Sequence, residues 1–544
     1  MSGTTSSNFR RTPGPAPWQG RRRPAAVGLL LVAVAVAGCG GEPTKPKGKT
    51  TPPRAQARSS KALPPGNENS PPGSGAVSQT SETPRETAQS ATGENASPSA
   101  GSGASSSTSG AAHTAETGRT ADSSADWPNW RGPGVRSAAV GAQLPSVWPE
   151  QPPFPVWQAP LGSGWSSPIV VGNRLFATDR TEAVERLLAF DAATGKPLWE
   201  RTNPVDFDPH AVGRAHGNGP KGTPASAAGR VYSLGIAGWL QCVAAEDGRP
   251  IWSHNLPAEF GRHEPLPTGR ATVVGEQHVL VPVGNDEGAP VPLFGYTGSP
   301  LVVDDKVILS VGGELGGTIM AFDAATGTVV WQALSENVSY SSPVAAELGG
   351  VPQVVAMTGP RVVGLRLSDG ELLWSYPFQI QYDESIGTPA VGDDLVLVTG
   401  TYQPLTALHI TGDGMGDGDS QTATLAWENP DLESYLSSMV VHEGHVYGMD
   451  DGGRFACVRL SDGVTQWSAG RHGFYCSPIL CGDQFIGLNE KGELSAFAAV
   501  PQAFSLRTRL KLAEAATWTM PAVVGSRVYV RSGDGLACYD FSVR

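Results

Sequence analysis

From about residue 127 to the end of the chain, short apolar runs alternate with turns rich in glycine, aspartate and asparagine. The pattern forms a unit: Ser, Thr or Gly, then any residue, then proline, followed by an apolar strand, a turn and a second strand. A third strand then leads to an Asp-Gly or Thr-Gly turn, and a fourth carries tryptophan, as in FDAATGKPLW at residues 190–199. The eight openings are Pro168, Pro224, Pro300, Pro343, Pro389, Met439, Pro478 and Pro521. Such a repeat is typical of an all-β propeller, here with eight four-stranded antiparallel blades.

The tryptophans predict how the blades pack. Because each lies at a fixed distance from its turn, its large ring is expected to be buried between neighbouring units. The seven docking positions are Trp157, Trp199, Trp252, Trp331, Trp374, Trp427 and Trp467. Trp427 follows a longer loop than the others, and the seventh unit has no matching tryptophan. The eighth unit ends after its third strand, so we expect the N-terminal strand around Trp157 to complete it and remove a free sheet edge.

The first quarter of the chain has a different composition. Residues 1–38 combine three arginines at 21–23 with an apolar run that is too short to be a convincing membrane span. The run ends in Val-Ala-Gly-Cys, which resembles a bacterial lipobox and implies lipidation of Cys39; an ordinary signal peptide or a short anchor is the alternative. Residues 39–125 are rich in Ser, Thr, Pro, Gly and Ala, which predicts a disordered tether.

We therefore expect three parts: a lipoprotein signal peptide (1–38), a linker (39–125) and the propeller (126–544). Residues 259–294 are interpreted as an insertion before the third unit. The one stretch with helical periodicity is 506–516.

Charge and cysteine content exclude some functions. The net charge is −12, and without residues 1–38 the chain has 34 basic and 51 acidic side chains, or −17. This acidity gives no electrostatic basis for binding nucleic acid.

Three of the six cysteines, Cys242, Cys457 and Cys538, occupy a repeat position that otherwise holds Ala or Gly, which indicates a small buried side chain. Cys476 and Cys481 flank one strand and could be free or disulfide-bonded.

Candidate binding residues precede the opening prolines by three or four positions. This point leads into the innermost strand of each blade, so these side chains are expected to gather at one mouth of the central channel. They are Trp165, Lys221, Tyr296, Tyr340, Tyr435, Tyr475 and Trp518. Aromatic rings with one cation suit a planar, glycan or peptide ligand. The alternative is that the rings only fill space between the blades.

Two patterns imitate metal sites without meeting their requirements. His442 and His445 are three residues apart, but His445 falls at a polar turn position of the repeat. Aspartates at 413, 417 and 419 with Glu428 imitate a calcium loop, yet its required glycine is replaced by Thr422. We predict no metal site from either pattern, and an acidic solvated loop is the simpler interpretation of the second.

The repeat Ala-x-Asp-x-x-Thr-Gly-x-x-x-Trp, at Ala189, Asp191, Thr194, Gly195 and Trp199, resembles the tryptophan-docking motif of pyrroloquinoline quinone (PQQ) propellers. The resemblance covers residues 127 to the end. This superfamily includes quinoprotein alcohol dehydrogenases, BamB-like lipoproteins of the outer-membrane β-barrel assembly machinery and a large group of bacterial PQQ-like repeat proteins without known chemistry. The vicinal cysteine pair of many PQQ dehydrogenases is absent from the sequence.

The resemblance without a recognisable catalytic set implies a non-catalytic envelope lipoprotein with no catalytic residue, metal or cofactor. Its expected location is the outer membrane facing the periplasm, with the propeller binding outer-membrane assembly proteins or other envelope proteins. The alternative is a PQQ-dependent oxidoreductase with an atypical site, and only that alternative requires PQQ with calcium.

Overall fold

The computed structural model describes residues 126–134, 137–209, 213–260, 270–274, 277–281, 292, 294–312, 317–380, 384–412, 421–533 and 535–542. These residues form eight four-stranded antiparallel sheets, one separate two-stranded sheet, a 3₁₀ turn (Arg214–His216) and one short helix, α1 (Leu256–Phe260). The predicted eight-bladed, all-β propeller is confirmed. The predictions on residues 1–125, including Cys39, and on the acidic loop 413–420 lie outside the described residues.

Strand β1 (Trp157–Ala159) precedes the first complete blade. Blade 1 contains β2 (Ile169–Val171), β3 (Arg174–Thr181), β4 (Val184–Asp191) and β5 (Pro197–Pro204). Blade 2 contains β6 (Ala225–Ala227), β7 (Arg230–Leu234), β8 (Trp239–Ala244) and β9 (Pro250–Asn255). After the insertion strands β10 (Arg270–Val274) and β11 (Gln277–Val281), blade 3 contains β12 (Leu301–Val303), β13 (Lys306–Ser310), β14 (Ile319–Asp323) and β15 (Val329–Ala333). Blade 4 contains β16 (Val344–Leu348), β17 (Val351–Met357), β18 (Arg361–Arg366) and β19 (Leu372–Pro377).

The second half of the ring repeats this order. Blade 5 contains β20 (Ala390–Gly392), β21 (Leu395–Gly400), β22 (Gln403–Thr411) and β23 (Thr422–Asn429). Blade 6 contains β24 (Val440–His442), β25 (His445–Met449), β26 (Phe455–Arg459) and β27 (Thr465–Ala469). Blade 7 contains β28 (Ile479–Cys481), β29 (Gln484–Leu488), β30 (Glu493–Ala498) and β31 (Leu506–Lys511). Blade 8 contains β32 (Ala522–Val524), β33 (Arg527–Ser532), β34 (Gly535–Asp540) and, as its outermost strand, β1. Each innermost strand starts directly after one of the eight predicted openings.

The ring is closed by β1, as the incomplete eighth unit predicts. Strand β1 pairs with β34 in antiparallel register, and Trp157 lies opposite Cys538. The same small position lies opposite the tryptophan in six other blades, where it is Ala, Gly or Cys. All five described cysteines are buried and free, so Cys476 and Cys481 form no disulfide.

Six of the seven docking tryptophans pack between blades, and each of these six donates its indole N–H to an acceptor on the next blade. Trp199, for example, donates to the Ala245 carbonyl at 3.2 Å. Its ring lies on the turn glycine of blade 2, Gly248, where a Cβ would approach the ring to 2.6 Å. Equivalent indole bonds to the next blade are made by Trp157, Trp252, Trp331, Trp427 and Trp467.

Two blades depart from this scheme. The indole of Trp374 donates instead to Gln353 of its own blade at 2.5 Å, because blade 5 has a longer β22–β23 connection in place of the glycine turn. In blade 7, Thr508 occupies the tryptophan position opposite Ala496. The helix predicted over residues 506–516 is wrong. Residues Leu506–Lys511 form the outer strand β31, because pairing with β30 completes the blade.

Helix α1 begins three residues before the predicted insertion, and the insertion itself contains the hairpin β10–β11, which pairs with no blade strand. Within the described part of the chain, no helix is both long enough and apolar enough to cross a membrane.

Candidate functional site

The central tunnel has two ends that the strand directions define. We call the end where the innermost strands begin the proline mouth, and the end at the turns between the first and second strands the hairpin mouth. Successive strands of a blade run antiparallel, so the end of each second strand returns to the proline mouth. The candidate residues directly precede the innermost strands, so they lie at the proline mouth.

A belt of hydroxyl groups surrounds the tunnel directly beneath this mouth. In seven of the eight blades, the residue before the opening proline or Met439 donates its backbone N–H to the side-chain hydroxyl of the equivalent residue in the next blade, at 2.9–3.3 Å. The belt residues are Ser167, Thr223, Ser299, Ser342, Thr388, Ser438 and Ser477, with Met520 at the eighth position. Met520 has no hydroxyl to accept from Ser477, so the belt is interrupted between blades 7 and 8, although the Met520 N–H itself donates to Ser167.

Sequence reasoning missed the belt because it read the residue before the proline as variable. The signal was nevertheless present, since that position is Ser or Thr in seven of eight units. Each bond satisfies a buried backbone donor and joins two blades. The belt therefore fixes the spacing of the side chains that stand above it.

The structure places the predicted mouth residues in separate groups instead of one continuous ring. Lys221 donates to the Phe294 carbonyl at 3.1 Å, and the Phe294 ring meets Tyr340 edge to face with centroids 5.2 Å apart. The backbone N–H of Trp165 donates to the Pro220 carbonyl, beside Lys221, at 2.8 Å. These contacts bring together the mouth residues of blades 1, 2 and 4.

A second group lies on blades 5 to 8. The Tyr435 hydroxyl donates to Glu384 at 3.4 Å, and its ring meets Phe474 with centroids 6.2 Å apart. Tyr475 contacts Trp518 at 5.9 Å between centroids. The phenylalanines of both groups were not predicted; Phe474 directly precedes Tyr475, and Phe294 stands two positions before Tyr296.

Tyr296 is a structural residue in this arrangement. Its side chain is 3% exposed, and its ring packs over Gly238, where a Cβ would come within 2.6 Å of a ring carbon. Its backbone N–H donates to the Ile236 carbonyl at 2.8 Å. Tyr296 therefore holds the entry to blade 3 and offers no surface to a ligand.

The titratable groups differ between the two sides of the mouth. On blades 1 and 2, burial raises the pKa of Glu185 to about 7, although the Ile236 N–H, Arg180 and Lys221 oppose the shift. Burial likewise lowers the pKa of Lys221 to about 8. On the side of blade 5, burial raises the pKa of Glu384 to about 7 against the hydrogen bond from Tyr435. Lys221 and Glu185 thus lie beside the group on blades 1 to 4, and Glu384 lies beside the group on blades 5 to 8.

The hairpin mouth is filled by the chain itself. The described residues between 126 and 148, which we call the axial segment, run into the tunnel and contact the innermost strands. Trp127 forms a β-bridge with Val170 of blade 1, with two hydrogen bonds of 2.7 and 2.9 Å. Ser226 of blade 2 donates to the Pro128 carbonyl at 2.8 Å. Trp127 is fully buried as a result.

The axial segment also reaches the opposite side of the ring. Ala138 forms a parallel bridge with Leu480 of blade 7, and Gln143 donates its N–H to the Gly525 carbonyl of blade 8 at 2.8 Å. Arg131 reaches deepest and donates to the carbonyls of Pro389 and Met439, next to the belt in blades 5 and 6. Residues 126–148 carry no repeat pattern, so sequence reasoning identified them only as the start of the folded part.

PQQ with calcium would need room in the tunnel and a set of oxygen ligands. The quinone is a planar fused-ring acid that needs an open stretch of tunnel, and the axial segment fills the hairpin half. Calcium requires six to eight oxygen ligands, whereas no group of three or more His, Cys, Asp or Glu side chains suited to a metal occurs among the described residues. His445 contacts the Glu443 carbonyl at 2.8 Å within its turn.

Known proteins similar to this chain include BamB proteins and quinone-dependent alcohol dehydrogenases. The family model described as outer membrane protein assembly factor BamB matches residues 185–469. BamB of Yersinia pestis is 24% identical over 389 residues, which cover 65% of this chain and 91% of that protein. The dehydrogenase subunit of the quinone alcohol dehydrogenase of Gluconobacter oxydans (strain 621H) is 28% identical over 174 residues, 30% of this chain but only 18% of that protein. The crystal structure of BamB from Moraxella catarrhalis covers 70% of this chain and 95% of its own, at 16% identity and a TM-score of 0.46.

Proposed function

Since the chain belongs to the family of the outer membrane protein assembly factor BamB, we propose that it is a non-catalytic binding platform in outer-membrane protein assembly. The observation that carries the proposal is the family match over residues 185–469, supported by a relative matched over 91% of its length. The alcohol dehydrogenase match spans 18% of that enzyme, so it reflects the shared repeat more than a shared active site.

The filled tunnel favours a platform over a quinone enzyme. Blades 1, 2, 5, 6, 7 and 8 all contact the axial segment, so its removal would break hydrogen bonds around the ring. A soluble quinone would have to displace it or bind above the belt. We therefore propose that the protein works without PQQ, calcium or another cofactor.

The proline mouth is the proposed docking surface for an envelope protein. The described part of the chain begins at the hairpin mouth, with the axial segment. The proline mouth faces the other way and carries the aromatic pair Tyr475–Trp518 beside the Tyr435–Phe474 pair. Tyr435, Tyr475 and Trp518 are partly exposed and Phe474 is exposed, and aromatic side chains supply much of the binding energy in protein interfaces.

The test is capture of purified outer-membrane assembly proteins by the full chain. The double variant Tyr475→Ala/Trp518→Ala is expected to reduce capture at least tenfold. Phe154→Ala is the matched control, because Phe154 is 95% exposed before β1 and lies away from the proline mouth. Equal capture by both variants would place docking elsewhere. Dye-linked alcohol oxidation that depends on added PQQ and calcium would instead establish the dehydrogenase alternative.

We further propose that Cys39 is lipidated and anchors the protein to the outer membrane, facing the periplasm. The lipobox-like Val-Ala-Gly-Cys at residues 36–39 supports this location. Mass spectrometry of the mature N-terminus should show a diacylated cysteine as residue one. A mature chain that still begins before residue 39, or an unmodified Cys39, would contradict the proposal.

A further inference from the structure

Glu384 lies at the proline mouth, on the side of blade 5, without a basic partner among the described residues. Its side chain is partly buried, and one carboxylate oxygen accepts the Tyr435 hydroxyl at 3.4 Å. In the described part of the chain, only burial and this hydrogen bond act on the pKa of the Glu384 carboxyl. The second carboxylate oxygen is therefore available to a donor from another molecule.

Two other glutamates at this mouth do have basic partners. Burial raises the pKa of Glu185, but the nearby cations Arg180 and Lys221 act against the shift. Glu336 accepts the Nε–H of Arg361 at 2.9 Å. A partly buried carboxylate is costly unless it is paired, so the carboxylate on the side of blade 5 lacks the cation that these two have.

Aromatic rings lie beside this carboxylate. The Tyr435 ring, whose hydroxyl contacts Glu384, meets the Phe474 ring with centroids 6.2 Å apart. Phe474 is 39% exposed. Tyr402 is 76% exposed, and after burial and Glu384 it contributes to the raised pKa of Tyr435. A guanidinium pairs with a carboxylate through two parallel N–H bonds and stacks on aromatic rings, so an arginine complements both the charge and the rings of this surface.

We propose that Glu384 and Tyr435 bind an arginine side chain of the protein that docks at the proline mouth. This inference rests on the proposed function, since it gives the chemistry of one contact within that docking surface. The surface is continuous, because Phe474 directly precedes Tyr475, whose ring contacts Trp518 at 5.9 Å between centroids. The guanidinium pairs with the Glu384 carboxylate and packs beside the Tyr435 ring.

The test uses the full chain and the acetylated and amidated tripeptide Val-Arg-Val in a ligand-observed NMR titration. Saturable binding is expected. The counterpart with citrulline should bind at least tenfold more weakly, because citrulline keeps the shape of arginine without its charge. Glu384→Gln should also weaken binding of the arginine peptide at least tenfold. The control Glu182→Gln removes an exposed carboxylate at the same mouth, on blade 1, and should leave the affinity unchanged.

Three outcomes would overturn the proposal: no saturable binding of the arginine peptide, equal binding of the citrulline peptide, or unchanged binding after Glu384→Gln. The comparison of the two peptides is made on the unmodified protein, so it does not depend on the folding of a variant.

Capture of purified outer-membrane assembly proteins separates this inference from the proposed function. Glu384→Gln is expected to reduce capture at least threefold, and Glu182→Gln should leave it unchanged. Capture that needs Tyr475 and Trp518 but not Glu384 would reject the arginine contact and keep the docking surface. Binding of the arginine peptide that depends on Glu384, without capture of any assembly protein, would reject the proposed function and retain the arginine site.

Discussion

Gly195, in the turn of blade 1, lies directly against the indole of Trp157, which β1 contributes to blade 8. A Cβ at Gly195 would stand 2.4 Å from a ring carbon, and the backbone there has a φ of +72°. The indole N–H also donates to the Ala192 carbonyl in the same turn at 3.1 Å. The contact between these two residues joins the last blade to the first, so it closes the ring.

Gly195→Ala is therefore expected to destabilise the propeller more than an alanine at another left-handed glycine. Gly172→Ala is the matched control, because Gly172 has a φ of +58° but nothing within 4 Å of its Cβ position. The control should cost about 1–2 kcal/mol for the left-handed backbone, and Gly195→Ala should cost this amount plus displacement of the indole. Thermal unfolding midpoints measure the difference, and equal midpoints would show that the contact contributes nothing.

The repeat could be predicted from the sequence because each blade repeats the same local chemistry. The turn glycine, the tryptophan and the small residue opposite it are all set by short-range spacing. The exceptions depend on long-range contacts: Trp374 turns to Gln353 since the next blade lacks the turn, and Tyr296 is buried over Gly238. Spacing from the proline placed the candidate rings ahead of each innermost strand, but it could not distinguish buried from exposed rings.

The axial segment shows a second limit of prediction from the sequence. Its contacts reach across hundreds of residues, as in the bond from Arg131 to Met439, and they use isolated backbone bridges without a repeating pattern. The sequence of residues 126–148 has no periodicity from which these contacts could be predicted. The belt hydroxyls were visible in the sequence, but their role depends on the geometry of adjacent blades, which a single repeat does not contain.

Thr223→Val tests the belt. The substitution keeps the shape of the side chain but leaves the buried N–H of Ser167 without its acceptor at 3.0 Å. An unsatisfied buried donor costs about 1–3 kcal/mol, so the unfolding midpoint in guanidinium chloride should fall. Thr424→Val, on the exposed outer strand of blade 5, is the control and should leave the midpoint nearly unchanged. A similar effect of both substitutions would argue against the belt as a stabilising feature.

Trp127→Ala tests the axial segment. Trp127 is fully buried and its ring packs on Gly132, where a Cβ would approach it to 2.6 Å. Truncation of a buried tryptophan costs about 3–5 kcal/mol, enough to release the segment locally. Trypsin should then cleave after Arg131, which is protected in the intact protein, and mass spectrometry of the fragments detects the cut.

The control for this proteolysis experiment is Trp518→Ala, at the proline mouth. It removes an indole without touching the axial segment, so no new cleavage after Arg131 is expected. If Trp127→Ala leaves Arg131 protected while circular dichroism shows a folded protein, the segment is held by its other contacts alone.

The raised pKa of the Glu185 carboxyl should make the free energy of unfolding depend on pH. Its folded pKa is raised from 4.5 to about 7, chiefly by burial, with Arg180 and Lys221 facing it. A raised carboxyl pKa means that the folded state favours the protonated form. The stability gained from that form is complete below about pH 4.5 and is lost as the pH rises through about 7.

Glu185→Gln keeps a neutral side chain that can still accept the Ile236 N–H. The variant should therefore match the unmodified protein near pH 4.5 and exceed its stability at pH 8, by up to about 3 kcal/mol. Denaturant unfolding at both pH values measures this difference. The exposed Glu246→Gln is the control and should show no pH-dependent difference, whereas a constant difference for Glu185→Gln would contradict the raised pKa.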